Sequence, residues 1–78
     1  MEPTIQQLDA RGLACPLPLL KARKALNSLP PGALLRVLST DTGSVRDFRV
    51  FCEQSGTGLL ESSESAGVYS FLLRKCES

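Results

Sequence analysis

Seventy-eight residues fall well short of the usual span of two domains, so residues 1–78 are expected to form one domain around a small core, without a large buried cavity. Hydrophobic residues at 42% and charged residues at 22% suit a globular domain and exclude the apolar-poor, charge-rich composition of disordered chains. Nine Lys and Arg against eight Asp and Glu leave a formal net charge of +1 with no long run of one sign, which argues against strong nucleic-acid binding.

Met1-Glu2-Pro3-Thr4 offers neither a basic region nor an apolar leader, and no stretch approaches the roughly 18 apolar residues that cross a bilayer, so the chain reads as cytoplasmic and not membrane-bound. Thr4 to Asp9 is β-compatible and runs into Arg11-Gly12, the mark of a strand ending in a turn. From Pro16 the pattern becomes helical. Leu19, Ala22, Leu26 and Leu29 share one stripe, while Lys21, Arg23 and Lys24 lie mostly off it. Pro30-Pro31-Gly32 ends the helix, because neither proline has an amide hydrogen to continue it.

Leu34 to Ser39 is apolar apart from Arg36, as an interior strand with a well-buried face would be. Asp41-Thr42-Gly43 turns the chain. Ser44 followed by Asp47 resembles a capping box in acidic form, and Val45, Phe48, Phe51 and Cys52 recur at helical spacing up to a stop near Gly56. Leu59 to Glu64 and Val68 to Lys75, joined by Ser65-Ala66-Gly67, read as a hairpin in which Tyr69, Phe71 and Leu73 alternate. The order β-α-β-α-β-β points to an α+β fold: a two-layer α/β sandwich, with a mixed four-stranded sheet and both helices on one face.

The chain has no histidine, which excludes a Cys-His catalytic pair and the imidazole-based zinc sites, so no metal is expected. Three cysteines, an odd and widely spaced number without a secretion signal, read as reduced thiols and not as a disulfide scaffold. Cys52 on the apolar stripe of the second helix is expected to be core filler, and Cys76 near the end of the chain to be exposed and mobile.

Cys15 is different. It stands at a strand-to-helix junction in Leu13-Ala14-Cys15-Pro16-Leu17-Pro18, where Cys15 is expected at the N-cap, Pro16 at the first helical position and Pro18 at the third. The remaining first-turn amides, Leu17 and Leu19, with the positive end of the helix dipole, would favour a sulfur anion. Arg11, Lys21, Arg23 and Lys24 would add positive potential, so a depressed thiol pKa is expected. The competing reading is a small buried cysteine in a proline-stiffened loop. Asp41 and Asp47 each have a structural reason, as a turn residue and as a first-turn helix acid.

Cys15-Pro16-Leu17-Pro18, preceded by Leu8-Asp9-Ala10-Arg11-Gly12-Leu13, resembles the CPxP signature of the TusA-like, or SirA-like, sulfur-carrier family. The resemblance extends through Lys24, Gly32, Asp41, Asp47 and Leu73-Arg74-Lys75. Thr42 stands where proline often follows the aspartate, and Thr57 where histidine is frequent. The resemblance implies a β-α-β-α-β-β sandwich in which Cys15 accepts sulfane sulfur as a persulfide and donates it onward, with Pro16 and Pro18 shaping the site. It implies a cysteine desulfurase or rhodanese-like donor, and an acceptor serving tRNA thiolation, molybdenum-cofactor synthesis or sulfur oxidation. No cofactor is needed. Leu17 and Leu20, off the apolar stripe, with Lys21 and Lys24, are the expected partner-binding surface of an otherwise monomeric protein. The alternatives are a cysteine redox switch, which would need a resolving thiol, and a small nonenzymatic binding module.

Overall fold

The computed structural model describes residues 5–76, so the expectations for Met1–Thr4 lie outside the described residues. The elements are β1 (Ile5–Ala10), α1 (Leu17–Asn27), β2 (Leu34–Ser39), α2 (Ser44–Ser55), β3 (Gly58–Ser65) and β4 (Val68–Arg74). The sheet runs β1-β2-β4-β3, with β1 and β2 parallel and the other neighbours antiparallel. The expected α+β sandwich with a mixed sheet is therefore the observed one.

The helices cover one face of the sheet. Side chains alternate across a strand, and β2 buries Leu35, Val37 and Ser39 while Leu34, Arg36 and Leu38 on its other face are only half-buried. Register sets Leu35 beside Leu73 and Val37 beside Phe71 on one flank, and Val37 beside Leu8 and Ser39 beside Ala10 on the other. Ala22 and Leu26 of α1, with Phe48 and Cys52 of α2, close over this row to make the core. The Phe48 and Phe71 rings stack, with centroids 4.7 Å apart and planes at 23°. On the uncovered face Arg36 donates to Ser70 Oγ at 2.7 Å and reaches Glu61 at 3.6 Å. Edge strand β3 is polar from Glu61 to Ser65, which discourages pairing with a further chain.

Turns do much to place the helices. Lys75 donates from its backbone to Ala33 (2.8 Å) and from Nζ to the Leu26 carbonyl (2.6 Å), capping the end of α1. α1 ends at Asn27 in a tight turn, with Leu29 N–H bonded to the Leu26 carbonyl, so Leu29 packs on the core from beyond the helix. Gly56, at φ +80°, closes α2 by donating to the Cys52 carbonyl. Ala66 and Gly67, both at positive φ, form the two-residue hairpin turn whose twist suits antiparallel strands.

The capping box expected at Ser44 is absent. Gly43 precedes the helix, and Ser44 turns inward to share a 2.7 Å hydrogen bond with buried Ser39. A serine bound in the core cannot cap its own helix end. The buried stripe of α2 is consequently Ser44, Phe48 and Cys52, while Val45, expected on it, is 37% exposed. No helix among the described residues is long and apolar enough to cross a membrane.

Candidate functional site

Between β1 and α1 the chain makes a turn, with Leu13 N–H on the Ala10 carbonyl and Gly12, at φ +83°, donating to Thr40 Oγ1 at 2.9 Å. The segment ends in a cis peptide between Cys15 and Pro16. Helix α1 starts one residue later than expected, so Pro16 and not Cys15 occupies the cap and Pro18 the second helical position. Leu17 spends its amide on the Ala14 carbonyl at 2.9 Å, and the first helical bond runs from Leu20 N–H to the Pro16 carbonyl. That amide is therefore not aimed at the sulfur. Pro18 is fully buried under the first turn, which ties the start of α1 to the core.

The side chain of Cys15 is exposed, and its thiol donates a hydrogen bond to a carboxylate oxygen of Asp47 in the first turn of α2. Asp47 is held in turn by its backbone, which donates to the Gly43 carbonyl at 3.1 Å. Gly43 lies against the cysteine: a Cβ added there would sit 3.6 Å from Cys15 Cβ, 3.7 Å from its Sγ and 3.0 Å from Asp41 Oδ2. The absence of a side chain at Gly43 leaves the space the thiol uses. Asp41 accepts from Gly43 N–H at 3.1 Å, bringing a second carboxylate to this corner.

The expected depression of the thiol pKa is overturned. The Asp47 hydrogen bond, some loss of surrounding water, and the charges of Asp47 and Asp41 all push Cys15 above the ordinary thiol value, because a neighbouring anion penalises a second negative charge. The expected cations do not offset this. Arg11 is committed to Asp9 through Nε (2.8 Å) and Nη2 (2.9 Å), a pairing that draws Asp9 down to about 2, and Lys21, Arg23 and Lys24 are not among the groups acting on the sulfur. Asp47 is the site residue that sequence reasoning assigned elsewhere. Its Ser-x-x-Asp spacing imitates a capping box, and nothing local reveals a partner 32 positions away.

Residues 6–75 match the family model described as Sulfurtransferase TusA. The chain belongs to the TusA family. It is 51% identical over 70 residues to a sulfur carrier protein TusA from Allochromatium vinosum, covering 90% of this chain and 92% of that one. It is 43% identical over 68 residues to a sulfur carrier protein TusA from Pseudomonas aeruginosa, covering 87% of this chain and 86% of the relative. The crystal structure of a SirA-like protein from Desulfitobacterium hafniense superposes with a TM-score of 0.80 at 29% identity, covering 95% of this chain and all of that one.

Against this TusA framework the other singled-out residues fall as follows. Leu17 and Leu20 are 46% and 48% exposed, and Lys21 and Lys24 are exposed beside them at helical spacing, so the four make one strip along α1. Cys52 is buried, and burial pushes its thiol to about 11. Cys76 is half-buried and packs near Gly56, not exposed as expected. Cys15 sits by Gly43 at the start of α2 and Cys76 by Gly56 at its end. The twelve residues of α2 set these two ends about 20 Å apart, whereas a disulfide needs Cα atoms within about 7 Å. Cys76 is therefore not placed to resolve an oxidised Cys15, and Cys52 is buried in the core. Among the described residues no cluster of three or more His, Cys, Asp or Glu forms a potential metal site.

Proposed function

We propose that this TusA family member carries sulfane sulfur on Cys15, taking it from a cysteine desulfurase or rhodanese-like donor and passing it to an acceptor protein of a cytoplasmic sulfur relay. The chain acts as a monomer. What supports the reading most directly is the exposed Cys15 within Cys-Pro-Leu-Pro, on a chain matched to the sulfurtransferase family from residue 6 to residue 75. In loading, the Cys15 sulfur attacks the outer sulfur of the donor persulfide. The donor S–S bond breaks, its electron pair leaves on the inner donor sulfur, and the proton given up by Cys15 goes to that thiolate. Delivery repeats the step with an acceptor thiolate attacking the outer sulfur and Cys15 leaving. No oxidant or cofactor enters the balance.

Carriage requires the sulfur to reach two partners, so an exposed cysteine on a proline-fixed helix start is suited to it and a deep pocket is not. Pro16 and Pro18 set the direction of α1, and the strip of Leu17, Leu20, Lys21 and Lys24 is the surface the partners would read. Such contacts should be small and transient. Intact-mass measurement after incubation with a persulfide donor tests the reading. Wild type should gain the mass of one sulfur and Cys15→Ser none, with both proteins melting alike. A gain that survives in Cys15→Ser would overturn the assignment.

A further inference from the structure

The surroundings of Cys15 are the reverse of those that activate a thiol. From α2 comes the Asp47 carboxylate, in direct contact, and from the β2–α2 turn comes Asp41. From α1 the first turn offers only leucines and a proline, with no titratable group. From the β1–α1 turn the nearest cation in sequence, Arg11, is tied to Asp9. Among the described residues two carboxylates thus face one sulfur and no cation is found to offset them, in a protein whose reading as a sulfur carrier gives that sulfur the nucleophile's part. The arrangement makes sense if the idle thiol is meant to be held back.

We propose that Asp47 is a positioning residue of the sulfur transfer: it holds the unloaded Cys15 by its thiol hydrogen, and releases it when a cation of the docked donor takes the carboxylate. This rests on the carrier reading of Cys15. With Asp47 paired to the donor, the thiol gives up its proton and the sulfur attacks the donor's outer sulfur; the donor thiolate that leaves takes a proton, so charge and atoms balance. The product is a persulfide, a stronger acid than the parent thiol. As an anion it has no hydrogen to give Asp47, and it is repelled by both carboxylates. The loaded sulfur therefore stands away from α2, where the unloaded one was drawn towards it. Loaded and empty carriers present different surfaces, which gives donor and acceptor a means of distinguishing them.

The test uses the full chain and two readouts. Alkylation of Cys15 by iodoacetamide is followed across pH by peptide mapping for wild type, Asp47→Asn and Asp47→Glu, and loading is followed by intact mass with glutathione persulfide. Each unit by which the thiol midpoint falls multiplies the thiolate fraction near neutrality about tenfold, so Asp47→Asn should alkylate roughly threefold faster or more at pH 7, with a lower midpoint. Loading from the small donor, whose net charge is negative, should accelerate in step. Asp47→Glu keeps a carboxylate and should stay slow. Should Asp47→Asn fail to fold, Asp41→Asn replaces it, with a smaller acceleration expected because Asp41 acts only through its charge. A folded variant that alkylates no faster than wild type at any pH overturns the proposal. Alkylation reads the hold of Asp47 alone and mass gain reads sulfur carriage, so failure of the carrier reading would be seen separately.

Discussion

Phe48→Ala would truncate the largest of the buried side chains of α2. The ring is fully buried, stacks on Phe71 at 4.7 Å and sits among Val37, Leu73 and the buried face of α1. Truncating such a residue costs about 3–5 kcal/mol, within which the aromatic pair accounts for about 0.5–1.5. A domain of 78 residues has roughly 4–12 kcal/mol in total at the usual stability per residue, so the substitution takes about a quarter of the stability at least and can take all of it. At about 4–8 °C per kcal/mol for a domain of this size, the melting point should fall by about 12–40 °C. Urea titration followed by circular dichroism measures the loss directly, with an unchanged slope confirming that only the native state was weakened. Phe48→Leu, which keeps most of the volume and loses the ring pair, should cost about 1–1.5 kcal/mol. Because Asp47 adjoins Phe48 on the same turn, the alanine variant should also alkylate faster at Cys15 while still folded. A loss below about 1 kcal/mol for Phe48→Ala would show that α2 is not seated on the sheet through this ring.

Ser44→Ala should cost about 1–3 kcal/mol in thermal denaturation, because it strips a hydrogen-bond partner from fully buried Ser39; the Ser39→Ala, Ser44→Ala pair should recover part of that loss, and simple additivity would count against the buried hydroxyl pair. Cys52 should make the fold sensitive to alkali. Its folded pKa of about 11 lies above the ordinary 9.0, so the native state keeps its proton where the unfolded state loses it; stability is fully present below about pH 9 and declines between 9 and 11. Cys52→Ala, less stable overall, should have a flatter profile over that interval, and an equally steep decline would exclude Cys52 as the cause. Reversing charge in Lys21→Glu, Lys24→Glu should slow transfer from a protein donor and reduce its salt dependence while leaving iodoacetamide alkylation of Cys15 unchanged; a folded variant that transfers as fast as wild type at both salt concentrations would show these lysines to be a solvated helix face.

The elements that were legible in the sequence are those specified by neighbours in the chain. β2 is found at Leu34–Ser39, as its apolar run indicates, and α2 stops at Gly56, where a left-handed residue is needed and glycine supplies it. The hairpin follows from Ala66-Gly67 between two β-rich runs, and the α+β sandwich from the order of the elements. Cys-Pro-Leu-Pro likewise marks the start of α1 within one residue, because proline acts on its own backbone and on that of its neighbour.

Tertiary structure decided the electrical character of the site. The sign of the effect on Cys15 depends on every charge within a few ångströms, and those charges come from β1, the β2–α2 turn and α2, segments that only the packing of two helices on one sheet brings together. Arg11, closest in sequence, is cancelled by Asp9, whereas Asp47, 32 residues away, touches the sulfur. Ser44 shows the same limit. Its spacing to Asp47 fits a capping box, yet a core position beside Ser39 takes its hydroxyl and leaves Asp47 for Cys15. Periodicity and turn chemistry are properties of adjacent residues, so a single sequence contains them; electrostatic potential is a sum over distances in space, and those distances exist only in the folded chain.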